Sequence, residues 1–250
     1  MPKEKKQRRL ILHIGTEKTG STSIQVFLRI NQKRLAEAGV GVPSELGDTL
    51  HFRLQLLAND EDTNDDFIMN LGLHKNRELR ENTLSEWRNQ LYQEVESSAA
   101  QTWIISCETL HSRLLKDSEL VRLKKILSPL FDRIDVLVYL REPLSMVTSR
   151  LTENAKSAIP VVIPEPVANQ EFDIADHQAT LQRWESAMGP GKLIVRIFES
   201  ESLVGGNVIY DFMEACELEQ ENYLIPRYQN PSLSRYGLKL TEEINRHVPR

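Results

Sequence analysis

The segment Leu12-His-Ile-Gly-Thr-Glu-Lys-Thr-Gly-Ser-Thr-Ser-Ile-Gln25 leads from an apolar strand directly into an amphipathic helix. Two glycines, Gly15 and Gly20, allow the connecting loop to turn sharply and to bring its backbone N–H groups close to a ligand. The helix that begins near Ser21 adds unpaired N–H groups and the positive end of its dipole. Lys18 adds a full positive charge. The segment therefore predicts an anion site at the end of the first strand.

The rest of the chain repeats this alternation of strand and helix. Further strands are predicted by short apolar runs at Trp103–Ser106, Ile134–Leu140 and Lys192–Phe198. Apolar residues at three- and four-residue spacing predict helices over Ser21–Ala38 and Glu78–Ser98. Nearly continuous apolar strands between helices are typical of a parallel sheet that is covered on both faces. The sequence thus predicts an α/β fold with a central, mainly parallel sheet flanked by helices.

Composition excludes several classes of protein. The 250 residues are 40% hydrophobic and 27% charged with a net charge of -5, which argues against collagen, a disordered chain or a basic nucleic-acid-binding protein. Two cysteines are too few for a disulfide scaffold or a four-cysteine zinc site, so a reducing, cytoplasmic location is expected. The apolar runs are too short for a transmembrane segment or a signal peptide. We expect one domain over residues 9–250, preceded by a flexible basic tail over residues 1–8.

The glycine-containing loop differs from two common nucleotide-binding motifs. A Walker A loop requires G-x-x-x-x-G-K-[ST], but Ser21 follows Gly20 where the lysine should stand. The dinucleotide motif G-x-G-x-x-G is also absent. A nucleotide kinase or other phosphoryl transferase is one alternative, although Asp135 begins its strand and so cannot hold Mg²⁺ at the strand end. A non-catalytic nucleotide-binding module is another alternative, and it would need no catalytic base.

The segment Lys18-Thr-Gly-Ser-Thr-Ser23 resembles the 5′-phosphosulfate loop of sulfotransferases that use 3′-phosphoadenosine 5′-phosphosulfate (PAPS). That family has a second motif after a later strand, in which an arginine, followed eight residues on by a serine, holds the 3′-phosphate. Arg141 and Ser149 follow the strand Ile134–Leu140 at this spacing. Ligands of open α/β sheets bind at the carboxyl ends of the strands, and a guanidinium group binds phosphate in a bidentate manner.

The resemblance implies a P-loop-like sulfotransferase architecture of the bacterial type. It implies that a sulfuryl group moves from PAPS to a hydroxyl of a carbohydrate, lipid or small-molecule acceptor, which releases 3′,5′-phosphoadenosine (PAP). The nucleotide-binding residues that it implies are Thr16, Glu17, Lys18, Thr19, Gly20, Ser21, Thr22, Ser23, Arg141 and Ser149, with Arg227 and Ser232 in a closing C-terminal loop. No metal and no nucleic-acid partner are expected, and the oligomeric state is left open.

Sulfuryl transfer also needs groups that stabilise charge and take the proton of the acceptor. Lys18 is the candidate that neutralises charge on the bridging oxygen. Two candidates exist for the base, which typically contributes about 10²–10⁴-fold to the rate. His51 lies where relatives place their acceptor-side base, and Glu108 ends a central strand. The sequence does not decide between them. The segments 44–76 and 157–170 are expected to shape the acceptor pocket.

Overall fold

The structure is a computed structural model that describes residues 7–63, 65–156 and 175–226, together with residues 243 and 247. Arg227, Ser232 and the segment 157–170 lie outside the described residues, as does most of the expected tail. Within that tail, Arg8 already donates its backbone N–H to the Asp132 carboxylate at 2.8 Å. The expected extent of the domain, over residues 9–250, stays a prediction.

Five parallel strands form one sheet in the order β2-β3-β1-β4-β5. The strands are β1 (Arg9–His13), β2 (Val40–Gly41), β3 (Thr102–Ser106), β4 (Arg133–Leu140) and β5 (Leu193–Ile197). Strand β1 lies in the middle and pairs with β3 on one side and β4 on the other. The loop after β1 therefore leaves from the centre of the carboxyl edge of the sheet, where ligands of such folds bind.

Helices cover both faces of this sheet, which confirms the predicted α/β fold. The helices are α1 (Ser21–Ile30), α2 (Gln32–Glu37), α3 (Phe52–Ala58), α4 (Asp66–Asn70), α5 (Arg77–Ser97), α6 (Thr109–Arg113), α7 (Asp117–Leu127), α8 (Pro143–Lys156), α9 (His177–Met188) and α10 (Val208–Ala215). Among the described residues, no helix combines the length and the apolar composition that a membrane crossing requires.

Successive side chains of a strand point to opposite faces of the sheet, so the protein has one hydrophobic core on each face. Leu10 and Leu12 of β1 pack, fully buried, with residues of α3, α5, α7 and α9 on one face. Ile11 points to the other face and packs with α1, α2 and α10. Because both faces of β1 are buried, the strand is fixed in position, and the loop that follows it starts from a rigid base.

The predicted helix over residues 21–38 is divided into α1 and α2. Asn31 separates the two helices with backbone angles of φ -107° and ψ 7°. Its side-chain amide donates to the carbonyls of Phe27 at 2.9 Å and Leu224 at 2.8 Å, and its oxygen accepts the Leu224 N–H. The break therefore serves a contact with a distant segment, which a local helical pattern does not reveal.

Candidate functional site

The loop between β1 and α1 continues the hydrogen bonding of the sheet beyond the last residue of β1. Thr16 N–H donates to the Tyr139 carbonyl at 2.9 Å, and Tyr139 N–H donates to the Gly15 carbonyl at 2.7 Å. The hydroxyls of Thr19 and Ser21 both donate to the Thr16 carbonyl, at 2.5 Å and 3.3 Å. Thr16 and Thr19 are fully buried, so their side chains fix the shape of the loop.

Two glycines of the loop adopt positive φ in places where a side chain would collide with a neighbour. Gly15 has φ 97° and Gly20 has φ 79°. A Cβ on Gly15 would lie 3.0 Å from the Cβ of Glu108, and a Cβ on Gly20 would lie 3.0 Å from Cγ1 of Val208. The loop is thus packed against Glu108 on one side and α10 on the other, and only glycine meets both requirements.

The amino end of α1 provides backbone donors for an anion. Gly20 precedes the helix and, having no side chain, supplies no capping hydrogen bond. The first N–H groups of an α-helix have no carbonyl of their own helix to bond to, and the helix dipole is positive there. In α1 the Ser23 N–H already donates to the Gly20 carbonyl at 2.9 Å, so the N–H groups of Ser21 and Thr22 are the candidate donors. Thr22 is exposed and Ser23 is half-buried at this end, so both hydroxyls are accessible.

Arg141 connects the two predicted phosphate-binding motifs. It follows β4, and its Nη1 donates to the Lys18 carbonyl at 3.0 Å. Its guanidinium carbon lies 5.8 Å from the ring centroid of Phe198, and its own carbonyl accepts a hydrogen bond of 2.6 Å from Nε2 of His177. Among the described residues, no carboxylate lies within 4.0 Å of this guanidinium. The neighbouring Glu142 is close enough that, besides its hydrogen bonds with Ser145, the charge of Arg141 helps to lower the pKa of its carboxyl.

Lys18 itself has a backbone conformation that is rare for a residue with a side chain. Its φ is 65°, in the left-handed region. The hydrogen bond from Arg141 holds the Lys18 carbonyl in this conformation. The position of the lysine thus depends on a residue that is more than a hundred positions away in the chain.

A cleft of about 660 Å³ opens next to Arg141, and it falls in the usual size range of ligand sites. Ser23 and Arg141 line it together with Ser145 of α8, Phe198 and Asn207. Ser149 lies one helical turn beyond Ser145, on the same side of α8. Of the predicted phosphate-binding residues, Ser23 and Arg141 thus line this cleft, whereas Lys18 and Ser149 are not among the residues that line it. Three carboxylates, those of Glu142, Glu199 and Glu201, line it as well.

Glu108 lies two residues after the end of β3, against the loop. Gln25 of α1 donates from Nε2 to Oε2 of Glu108. Burial raises the pKa of the Glu108 carboxyl, and the Glu17 carboxylate raises it further, whereas the Gln25 hydrogen bond and the Lys18 charge lower it. Glu108, Glu17 and Lys18 thus form one electrostatic group, in which a carboxyl with a raised pKa stands beside the predicted catalytic lysine.

His51, the other candidate base, is buried immediately before α3. Its Nδ1 accepts the Ser106 N–H at 3.0 Å, which places the proton of the neutral ring on Nε2. Burial lowers the pKa of His51 to about 4. The basic nitrogen of this ring is therefore already used in a hydrogen bond to β3.

A smaller cavity of about 180 Å³ lies beside His51. Gln25 lines it as well, so the partner of Glu108 reaches this cavity from α1. Ser44 and Asp48, from the segment 44–76 that was expected to shape the acceptor pocket, form part of its wall. This cavity is the candidate entrance for an acceptor.

The buried histidines make stability depend on pH. Burial lowers the pKa of His13 to about 3 and that of His51 to about 4, whereas both are near 6.5 in the unfolded chain. The unfolded state therefore binds more protons below pH 6.5, and the free energy of unfolding falls as the pH falls towards 4. With both rings contributing, the slope reaches about 2.7 kcal/mol per pH unit.

The contribution of the His51 ring to the pH dependence of stability can be isolated with the variant His51→Asn. The side-chain oxygen of asparagine can still accept the Ser106 N–H. We expect the slope of unfolding free energy between pH 6 and about 4.5 to drop by about 1.4 kcal/mol per pH unit in this variant. Urea unfolding at several pH values measures it. An unchanged slope would contradict the neutral, buried state of His51.

Three residues of the site were not predicted from the sequence: Gln25, His177 and Phe198. Gln25 could have been recognised from the sequence, because a polar residue on the apolar face of a helix is unusual. It lies one turn after Ser21 on the buried face of α1. His177 and Phe198 reach Arg141 from later elements, and no local pattern marks them. Within the described residues, no group of three or more histidine, cysteine or acidic side chains is placed to hold a metal ion.

Comparison with known proteins gives a clear likeness for the fold. No family model matches the chain. An uncharacterized protein from Archaeoglobus fulgidus is 28% identical over 139 residues, which are 54% of this chain and 36% of that protein. The chain thus spans little more than a third of the length of this relative. The crystal structure of a sulfotransferase from Alicyclobacillus acidocaldarius superposes with a TM-score of 0.54 and 12% identity, over 96% of this chain and 93% of that one.

The likeness to the sulfotransferase structure covers nearly the whole chain. It confirms the expected sulfotransferase-like architecture at the level of the fold. At 12% identity it does not assign an activity, and the roles of individual residues rest on the geometry described above.

Proposed function

We propose that the protein is a PAPS-dependent sulfotransferase that transfers a sulfuryl group to a hydroxyl of a carbohydrate, lipid or small-molecule acceptor. The observation that carries the proposal is the hydrogen bond from Arg141 to the Lys18 carbonyl. It joins a guanidinium group that forms no ion pair within 4.0 Å among the described residues to a loop that presents a lysine and a helix amino end. Two anion-binding elements on one cleft suit a ligand with a phosphate group at each end.

The donor would be held at two places. Lys18, the first-turn N–H groups of α1 and the hydroxyls of Thr22 and Ser23 would bind the 5′ end. Arg141 and Ser149 would bind the 3′-phosphate. Gly20 permits the turn, and the buried side chains of Thr16, Thr19 and Ser21 keep the loop in shape. Arg227 and Ser232, outside the described residues, remain proposed contacts of a closing loop, and Glu17 remains proposed for the loop surface.

PAPS, when bound, supplies a sulfuryl group on a phosphate leaving group. Lys18 stabilises the negative charge that grows on the leaving side, as fixed cations do in phosphoryl transfer. Glu108 takes the proton of the acceptor hydroxyl. Its raised pKa makes it a stronger base than an ordinary exposed carboxylate, and the hydrogen bond from Gln25 orients it.

Glu108 is proposed as the base rather than His51 because of their hydrogen bonds. The Nδ1 lone pair of His51 accepts the Ser106 N–H, and a pKa of about 4 makes the ring a weak base at neutral pH. We assign His51 to positioning: it ties the start of α3 to the end of β3, next to the candidate acceptor cavity.

The two alternative functions, a nucleotide kinase and a non-catalytic nucleotide-binding module, have less support. A kinase needs an acidic residue near the phosphates to hold Mg²⁺, but Asp135 lies near the amino end of β4, where Nε of Arg9 pairs with it at 2.7 Å. A non-catalytic module would not need a carboxyl with a raised pKa beside the loop lysine. A cytoplasmic location remains a prediction.

Calorimetric titration with PAP and with ATP tests the donor site. We expect PAP to bind with a dissociation constant in the micromolar range and ATP to bind more weakly, because ATP has no 3′-phosphate. Arg141→Ala should weaken PAP binding by about 10- to 100-fold, the usual effect of losing charged hydrogen bonds.

Arg34→Ala is the matched control, because Arg34 is exposed on α2. It should leave PAP affinity unchanged. Tighter binding of ATP than of PAP would favour a kinase. PAP binding that is insensitive to Arg141→Ala would show that the donor does not occupy this cleft.

A further inference from the structure

His177, the first residue of α9, contacts the main chain of Arg141 rather than its side chain. Its Nε2 lies 2.6 Å from the Arg141 carbonyl oxygen. A carbonyl oxygen only accepts hydrogen bonds, so Nε2 carries the ring proton and donates it. Within the described ranges, the other ring nitrogen, Nδ1, is buried and has no hydrogen-bond partner. The polar contact of this ring is therefore directed at Arg141.

Arg141 stands where the regular hydrogen bonding of the sheet ends. The Phe198 N–H donates to the carbonyl of Leu140, the last residue of β4, at 2.7 Å. The next carbonyl is that of Arg141, which lies outside the strand and accepts the hydrogen bond from His177. Pro143 begins α8 two residues later, so the chain leaves the sheet at this point. His177 thus holds the main chain of Arg141 where strand pairing no longer does.

The helix that carries His177 is itself fixed by residues that face the core. Thr180, only 1% exposed, forms a hydrogen bond of 3.3 Å with Nε2 of His111 in α6. Trp184, one turn further along α9, is fully buried in the core. Residues 177, 180 and 184 lie on one side of the helix, because they are spaced by three and four positions. The imidazole is therefore presented to Arg141 from a rigid support.

Arg141 is held at both of its ends. His177 holds its carbonyl, and Nη1 of its guanidinium group donates to the Lys18 carbonyl at 3.0 Å. A guanidinium group binds phosphate best when its donors already point at the oxygens. A main chain that is fixed beforehand leaves less conformational freedom to lose when the phosphate binds.

We propose that His177 is a positioning residue that gives the donor cleft its preference for a nucleotide with a 3′-phosphate. The inference rests on the proposed function, in which Arg141 binds that phosphate. His177 is not among the residues that line the cleft, so it acts through the main chain of Arg141. Loss of its hydrogen bond weakens the contact of Arg141 with the 3′-phosphate and leaves the binding of the 5′ end unchanged.

His177→Met and His177→Gln form a matched pair, because the two side chains have nearly the same length and only glutamine ends in an amide donor. Calorimetry measures the binding of PAP, and of adenosine 5′-phosphate, which has no 3′-phosphate, to the full chain of each variant. We expect His177→Met to weaken PAP binding by about 5- to 10-fold, the usual effect of losing one hydrogen bond, and His177→Gln to stay within about twofold of the wild type. The affinity for adenosine 5′-phosphate should change by less than about twofold in both variants.

The double variant Arg141→Ala/His177→Met separates positioning from a general effect on the fold. If His177 acts through Arg141, the double variant binds PAP no more weakly than Arg141→Ala alone. A loss that was only structural would add to the loss from Arg141→Ala. Gln178→Ala is the control on the same helical turn, because Gln178 is exposed, and it should bind PAP like the wild type.

Circular dichroism checks that both single variants fold; if His177→Met does not, His177→Ala takes its place. Wild-type PAP affinity in His177→Met, a failure of His177→Gln to restore binding, an equal loss for adenosine 5′-phosphate, or additive losses in the double variant would each overturn the inference and leave the donor site untouched. The proposed function fails on different results, namely no PAP binding by the wild type or normal binding by Arg141→Ala. Either of those would overturn the inference as well.

Discussion

We expect Glu108→Gln to lower the rate of sulfuryl transfer by about 10²–10⁴-fold, the usual contribution of a general base. Glutamine keeps the shape of the side chain and can still bond to Gln25, but it cannot accept the proton of the acceptor hydroxyl. PAP affinity should stay within about twofold of the wild type, because Glu108 is not proposed to bind the nucleotide. Transfer from labelled PAPS and calorimetry with PAP measure the two quantities.

The pH profile distinguishes a catalytic from a merely structural effect of this substitution. Burial raises the pKa of Glu108, so the wild-type rate should rise with pH through a pKa above the usual range of a glutamate. The rate of Glu108→Gln should no longer rise with pH through this pKa. His51→Asn is the matched comparison and should transfer within about threefold of the wild type. A full loss in His51→Asn with little loss in Glu108→Gln would reverse the assignment of the base.

We expect Lys18→Met to lower the transfer rate by about 10²–10³-fold, comparable to removing one charge-stabilising donor from an active site. Methionine keeps most of the apolar stem of the side chain but removes the ammonium group. The loss should be larger in kcat than in PAP affinity, because the charge that Lys18 neutralises grows in the transition state.

Lys33→Met is the control for the loss of a lysine, since Lys33 is exposed on α2 and its nearest carboxylate is 4.0 Å away. It should not change the transfer rate. If Lys18→Met transfers normally, the catalytic role of Lys18 is wrong even where PAP still binds, and a different cation must stabilise the leaving group.

The fold was largely predictable because its signals are local. The apolar runs that form β1, β3 and β4 are nearly continuous, as expected for strands that are buried on both faces. Strand β5, at the edge of the described sheet, is partly exposed and includes Arg196. The pairing of the two-residue strand β2 with β3 and the break at Asn31 were not predicted. Both depend on tertiary contacts: β2 pairs with β3, and the Asn31 amide binds Leu224.

The site was predictable where its residues lie within one loop and the helix that follows. The glycines, Lys18 and the hydroxyls of the loop stand in a single run of sequence, and the pair of motifs indicated where Arg141 belongs. The choice of base was not predictable. It depends on which side chain keeps a usable lone pair, and the group that occupies His51 is an amide of β3, which lies 55 residues away.

The bridge from Arg141 to the Lys18 carbonyl spans only 3.0 Å and is anchored in the sheet at both ends. This hydrogen bond would fix the distance between the two proposed anion-binding elements of the cleft. Nucleotides whose charged groups are spaced too widely or too closely can engage one end but not both. Selection among cellular nucleotides would then come from rigidity, before any reaction begins, rather than from recognition of the base.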